Sequence, residues 1–190
     1  MCGRINVSDD PLAKFITDTL GMPFHTRTNP DLRPTDPIDV IVGKENPRQL
    51  TLHWGIKPDW AKRPIINAQA ETAAVKPTFR QSFHQFRCLV PCSGWYEWTP
   101  EDPSEPQRKK LKYLFTGSNG EPIFMAGLML PDCKLVTLTT PPDEQYSRYH
   151  HRMPMLVAPE KARKWLTDTG YAGELAQAPH QYNLDISPIK

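Results

Sequence analysis

Twenty-one prolines in 190 residues constrain this chain more than any other feature of its sequence. Each proline lacks a backbone N–H and fixes φ, so it ends or kinks a helix and is confined to the ends, edges and bulges of sheets. Long helices and long central strands are therefore not expected, and short elements joined by many loops are. Three helices are still marked. Over 10–21, Asp10 can cap, Pro11 suits the first turn, Leu12, Phe15, Ile16 and Leu20 form one apolar stripe, and Gly21 ends the run. Over 159–167, Trp165 and Leu166 point inward and Lys161, Arg163 and Lys164 outward, with Gly170 as the stop. Over 78–86, Phe79, Phe83 and Phe86 recur at helical spacing as core residues. Strands are predicted over 38–42, 49–54, 88–91, 95–99, 112–116, 123–130, 135–139 and 155–158. The fold class is α+β, rich in β structure with a few helices.

Length and a hydrophobic share of 38% suit one core, so a single domain over 1–190 is expected. No apolar run approaches the ~18 residues of a membrane helix, and Met1-Cys2-Gly3-Arg4-Ile5-Asn6 lacks the apolar stretch of a signal peptide. A cytoplasmic protein with no membrane contact is the expectation. In that compartment the four cysteines are read as thiols, and Cys88 and Cys92 as buried core residues rather than metal ligands. Neither a metal nor a cofactor is expected. A net charge of +2 does not announce nucleic-acid binding by itself. Local clusters say more: Lys57, Lys62 and Arg63 lie near Trp54 and Trp60, and residues 148–152 hold two arginines and two histidines.

Cys2 is the most unusual position. Once Met1 is removed, the chain begins with an α-amine and a thiol on adjacent carbons. With ordinary pKa values of about 8 for the amine and about 8.5 for the thiol, a useful fraction of each is nucleophilic at neutral pH. Such a 1,2-aminothiol condenses with an aldehyde, first as a Schiff base and then as a five-membered thiazolidine. A lone Met-Cys start is also compatible with an N-terminal residue tucked under a sheet. Two further segments bear on the choice. Glu97 sits in Gly94-Trp95-Tyr96-Glu97-Trp98, where aromatic neighbours would desolvate it and raise its pKa, provided that Trp95 and Glu97 share the inner face. His150 lies in Tyr149-His150-His151-Arg152-Met153-Pro154, which pairs an acid–base group with a cation suited to phosphate.

Taken with Asn67-Ala68-Gln69-Ala70-Glu71-Thr72, Arg33-Pro34-Thr35, Trp54-Gly55, Pro58-Asp59-Trp60-Ala61-Lys62 and Met125-Ala126-Gly127-Leu128, these motifs resemble the SRAP family of SOS-response-associated peptidases, or abasic-site processing proteins. The resemblance runs in order from residue 1 to about 166. It implies a central, partly closed antiparallel β structure with peripheral helices and a cationic groove leading to the amino terminus. It also implies autopeptidase removal of Met1 and a covalent DNA–protein crosslink through Cys2, with lyase-type Schiff-base chemistry. Carried over, Asn67 would hold the processed amino terminus, Glu97 would move protons at the Cys2 amine, and His150 would assist opening of the deoxyribose ring. Arg4 and Arg152 would grip phosphates, and Pro34 and Trp60 would wedge against bases. The implied partner is single-stranded DNA bearing abasic sites, or a single-strand/double-strand junction, met by a monomer in the nucleoid. Three positions depart from the family pattern: Gln69 replaces an arginine that contacts phosphate, Asp31 stands near a usual asparagine, and residues 184–190 lack the usual final segment, which puts a closing strand in doubt.

Three functions follow in rank: covalent capture of abasic sites, a cysteine peptidase or amidohydrolase acting in trans with Cys2 as nucleophile, and a non-catalytic reader of damaged or modified single strands that uses Trp54, Trp60 and the arginines.

Overall fold

A computed structural model describes residues 3–100, 110–178 and 182–189. The chain runs β1 (Ile5–Val7), α1 (Asp9–Leu20), β2 (Asn29–Leu32), β3 (Pro37–Val42), β4 (Arg48–Trp54), β5 (Asn67–Gln69), α2 (Ala70–Ala73), α3 (Pro77–Gln85), β6 (Arg87–Cys92), β7 (Gly94–Pro100), β8 (Lys110–Gly117), β9 (Ile123–Leu130), β10 (Lys134–Thr140), α4 (Glu144–Ser147), β11 (Met153–Pro154), β12 (Leu156–Val157), α5 (Ala162–Thr167), α6 (Thr169–Gln177) and β13 (Leu184–Ile189). Short elements and many loops are what the proline content dictates.

Five strands close on themselves in the order β10, β4, β3, β6, β9 and back to β10. The apolar runs Cys88-Leu89-Val90 and Ile123-Phe124-Met125-Ala126 supply its fully buried strands. Gly127 is required there, because a Cβ would lie 2.8 Å from Cys88 Sγ and 3.0 Å from the Leu135 and Val90 side chains. At its far end, β10 exchanges neighbours. β5 follows β4 along one edge, pairing Asn67 with Thr137, and β11 follows β9 along the other, pairing Pro154 with Thr139. Both β4 and β5 pair with β10 in parallel, the departures from an otherwise antiparallel plan.

The second sheet is open, in the order β13-β8-β7-β1-β2. Close approach sets its start: a Cβ on Gly94 would stand 2.3 Å from the Phe115 carbonyl oxygen. The expected change at the carboxyl end does not remove a strand, since β13 pairs with β8 over six residues from Leu184 to Ile189.

Of the predicted helices, α1 ends as expected at Gly21, which is left-handed (φ 68°) and donates its N–H to Thr17 O. The second ends sooner than its predicted stop. Asp168 closes α5 and accepts from Tyr171 N at 3.0 Å, capping a new helix, so Gly170 lies inside α6. In α3, Phe79 and Phe83 are buried but Phe86 is 40% exposed, because the helix ends one residue before it. Arg87 ties these helices together. Its buried guanidinium donates to the carbonyls of Phe83 (2.6 Å) and Trp165 (2.7 Å) and to Thr169 Oγ1 (3.2 Å), satisfying the carbonyl ends of α3 and α5. Cys88 and Cys92 are core thiols, as read from the sequence. Burial pushes the Cys88 thiol far above its usual range and that of Cys92 up to about 12.

Candidate active site

Strand alternation fixes where Glu97 points. In β7, Trp95 and Glu97 share one face, and Trp95 pairs with Phe115 while Glu97 pairs with Tyr113. The inner face is therefore aromatic. Trp95 stacks on Phe115 at 5.1 Å, Phe115 meets Tyr146 at 4.9 Å and Tyr149 at 5.1 Å, and Tyr113 meets Tyr149 edge-on at 5.0 Å. Glu97 is 4% exposed within this frame. Burial holds its carboxyl above the usual carboxylate range, against the opposing pull of a hydrogen bond from Tyr146. The Tyr146 hydroxyl in turn accepts from Trp95 Nε1 at 3.3 Å. A chain Trp95 to Tyr146 to Glu97 thus orients the carboxyl.

The short helix α4 brings Tyr146 there. Asp143 caps it by accepting from Tyr146 N at 2.8 Å, and the chain then turns so that His150 follows one turn later. His150 Nδ1 lies 3.0 Å from both the N–H and the C=O of Arg152. The N–H can only donate, which assigns Nδ1 as acceptor and the proton of the neutral ring to Nε2. Burial lowers the His150 pKa to about 4, and the neighbouring His151, stacked at 4.2 Å, adds to the effect. At neutral pH His150 is an uncharged imidazole.

Arg152 is engaged differently from its expected role. Its guanidinium forms a two-pronged pair with Glu71, Nη1–Oε1 2.6 Å and Nη2–Oε2 2.8 Å, and its Nε reaches Thr139 Oγ1 at 3.3 Å. The pair ties the segment carrying His150 to the first turn of α2, so Arg152 braces the site. Asn67 lies at the start of β5, its side-chain carbonyl accepting from Thr137 Oγ1.

Arg4 continues β1 alongside β7, its carbonyl accepting from Tyr96 N at 3.0 Å. Its guanidinium pairs with Asp31, which also accepts from Arg33 at 2.6 Å. The two arginines hold the Asp31 carboxyl below the usual range, Arg33 foremost. Cys2 lies outside the described residues. The register that pairs Ile5 with Trp95, continued two steps, sets Gly3 level with Glu97.

Residues 1–190 match the family described as SOS response associated peptidase (SRAP). The abasic site processing protein YoqW of Bacillus subtilis is 33% identical over 93% of this chain and 87% of its own length. YedK of Escherichia coli, also named an abasic site processing protein, is 29% identical over 87% of this chain and 79% of its own. The chain belongs to the SRAP family. A phage-related protein of Bordetella bronchiseptica shares the fold with a TM-score of 0.81 at 23% identity, over 100% of this chain and 94% of that one.

Within this SRAP chain the residues expected at the DNA surface divide. Trp60 is 71% exposed, Gln69 is exposed and Pro34 half-buried. Trp54 is corrected: it is fully buried at 0% exposure with Nε1 donating to Ile66 O at 3.0 Å, so no base can stack on it, and its role is to anchor β4. Sequence reading missed Tyr146, Tyr149, Tyr113 and Glu71. The signal for Tyr146 was Pro141-Pro142-Asp143-Glu144, a helix start too short to carry a periodic stripe.

Proposed function

We propose that this protein processes abasic sites in DNA, and that it does so by trapping the open-chain aldehyde of an unpaired strand on Cys2 after Met1 has been removed. Membership of SRAP and the names of its relatives support abasic-site processing. The observation that carries the finer reading is Glu97, a carboxyl kept protonatable by burial at the level of β7 that Gly3 reaches, one residue from Cys2.

The chemistry follows from these groups. His150 Nε2–H hydrogen-bonds the ring oxygen of the deoxyribose hemiacetal while the C1′ hydroxyl proton passes through water to that oxygen, so that the C1′–O4′ bond breaks and the aldehyde is freed at C1′. The Cys2 amine adds to that carbon, its proton passing to Glu97. The protonated carboxyl passes that proton to the alkoxide, making it a hydroxyl, and then relays the amine's second proton to it as it departs, so that water leaves and the C=N bond forms. The Cys2 thiolate adds to the same carbon and the nitrogen regains a proton, closing the thiazolidine. Asn67 serves as the hydrogen-bonding hold on the amine. Trp60 and Pro34 favour unpaired DNA because a flat ring stacks on any exposed base.

Incubation with single-stranded DNA carrying one abasic site should give an adduct that survives a denaturing gel, and the mass of the purified chain should lack one methionine. Cys2→Ala should abolish the adduct, as should a tag left ahead of Cys2, whereas Cys2→Ser should leave only an imine that hydrolyses. A folded wild-type protein that forms no adduct overturns the proposal.

A further inference from the structure

Glu97 and Trp98 are neighbours on β7 and so face opposite sides of the open sheet. The side away from Glu97 carries an ordered row of side chains. Arg33 and Asp31 come from β2 and the residue after it, Arg4 precedes β1, Tyr96 and Trp98 come from β7, and Lys112 from β8. Lys112 Nζ lies 3.8 Å from the Tyr96 ring centre and 5.6 Å from that of Trp98, and the Arg4 guanidinium lies 5.7 Å from Trp98. Trp98 keeps 38% of its surface open between these two cations. Most of the large apolar side chains of the protein are buried, which makes an open indole flanked by charge a feature to explain.

An open aromatic plate with cations on both sides is what a single strand requires: a π-face for a base of any identity and positive charge for the adjoining phosphates. The position also suits a strand already held at the pocket. Among the described residues β1 accompanies β7 only as far as Tyr96, whose N–H donates to Arg4 O. Glu97 and Trp98 continue β7 beyond that pairing, with Glu97 at the level of Gly3, so a strand reacting at the inner face can turn over this rim onto the outer one.

We infer that the outer face of the open sheet is a second nucleic-acid platform, on which Trp98 stacks an unpaired base flanking the lesion while Lys112 and Arg4 bind its phosphates. The inference rests on the reading that the protein acts on unpaired DNA.

Fluorescence anisotropy with undamaged oligo-dT of about 16 nucleotides, the upper site size for a single-strand-binding fold, tests it. Trp98→Ala should bind about tenfold more weakly, the size of one lost stacking interaction, and Trp98→Phe should stay within about twofold of wild type. Adduct formation with an abasic strand of about 4 nucleotides, too short to occupy both faces, should be unchanged in both variants. If Trp98→Ala binds oligo-dT as wild type does, or if capture of the short strand falls in step with oligo-dT binding because the sheet itself has loosened, the platform is refuted. Should Trp98→Ala fail to fold, Lys112→Ala decides: the slope of log affinity against log salt should flatten by about 0.7, and an unchanged slope refutes the platform. Wild type that binds oligo-dT yet forms no adduct at either length refutes the capture reading and leaves the platform standing.

Discussion

The closed circuit of β10, β4, β3, β6 and β9 and the open sheet of β13, β8, β7, β1 and β2 are built from similar strands but bury different things. Every residue of β6 is buried, as are all but one of β9, and apart from Arg87 their side chains are apolar or thiol. The open sheet buries a carboxyl at Glu97, leaves most of β8 half-buried and exposes most of β13. The difference separates two tasks. The closed circuit surrounds an apolar core, and the buried acid stands on the other sheet, apart from it.

If that division is right, variants of the circuit should change stability and variants of the open sheet should change rate. The largest effect expected is for Phe124→Ala, which empties a fully buried ring that packs on Phe15 at 4.9 Å. It should cost about 3–5 kcal/mol in denaturant unfolding while the folded fraction captures abasic DNA at the wild-type rate. Glu97→Gln should do the reverse, slowing adduct formation about 100-fold. Its pH signature is distinctive. A raised carboxyl pKa means the folded state holds the proton more tightly, so stability is present at low pH and lost as pH rises through the folded value. Glu97→Gln should therefore raise Tm more in alkaline than in acidic buffer. A Tm that falls at every pH would erase the contrast between the regions.

Gly127→Ala, at the crowded centre of the circuit, should cost about 1–3 kcal/mol with the capture rate intact. His150 carries a term of opposite sign to that of Glu97. Held at about 4 against an ordinary 6.5, it binds its proton more readily unfolded, so stability falls as pH drops from 6.5 toward 4. Acid titrations of Tm should be flatter over that window for His150→Gln. The smallest effect belongs to Asp31→Asn on the open sheet. Releasing Arg4 and Arg33 should tighten oligo-dT binding about threefold and leave stability within about 1 kcal/mol.

The same contrast explains what the sequence disclosed. Strands of the circuit are six to eight residues long, and the apolar run of β9 predicts its bounds, 123–130, to the residue. Apart from β7, the strands that bring site residues in are short: β1 and β5 have three residues each and β11 has two, too few for any periodicity to register. Glu97 and His150 were legible as chemistry because their residue types are conspicuous among aromatic and cationic neighbours. What was not legible is who holds them. Tyr146 reaches Glu97 across 49 residues of chain, and Glu71 takes Arg152 across 81. Trp54 was misplaced for a related reason, since Lys57, Lys62 and Arg63 nearby suggested a surface, whereas its strand turns the indole into the core.

Arginine serves this molecule in two settings that respond differently to ionic strength. Arg87, 4% exposed and bonded to carbonyl oxygens, lies where counter-ions do not enter, whereas Arg4 and Arg33 face solvent. Concentrated salt washes should therefore strip loosely held strands from the surface and leave the helix junction at Arg87 intact, so that under the proposed mechanism only a covalently captured strand would stay attached.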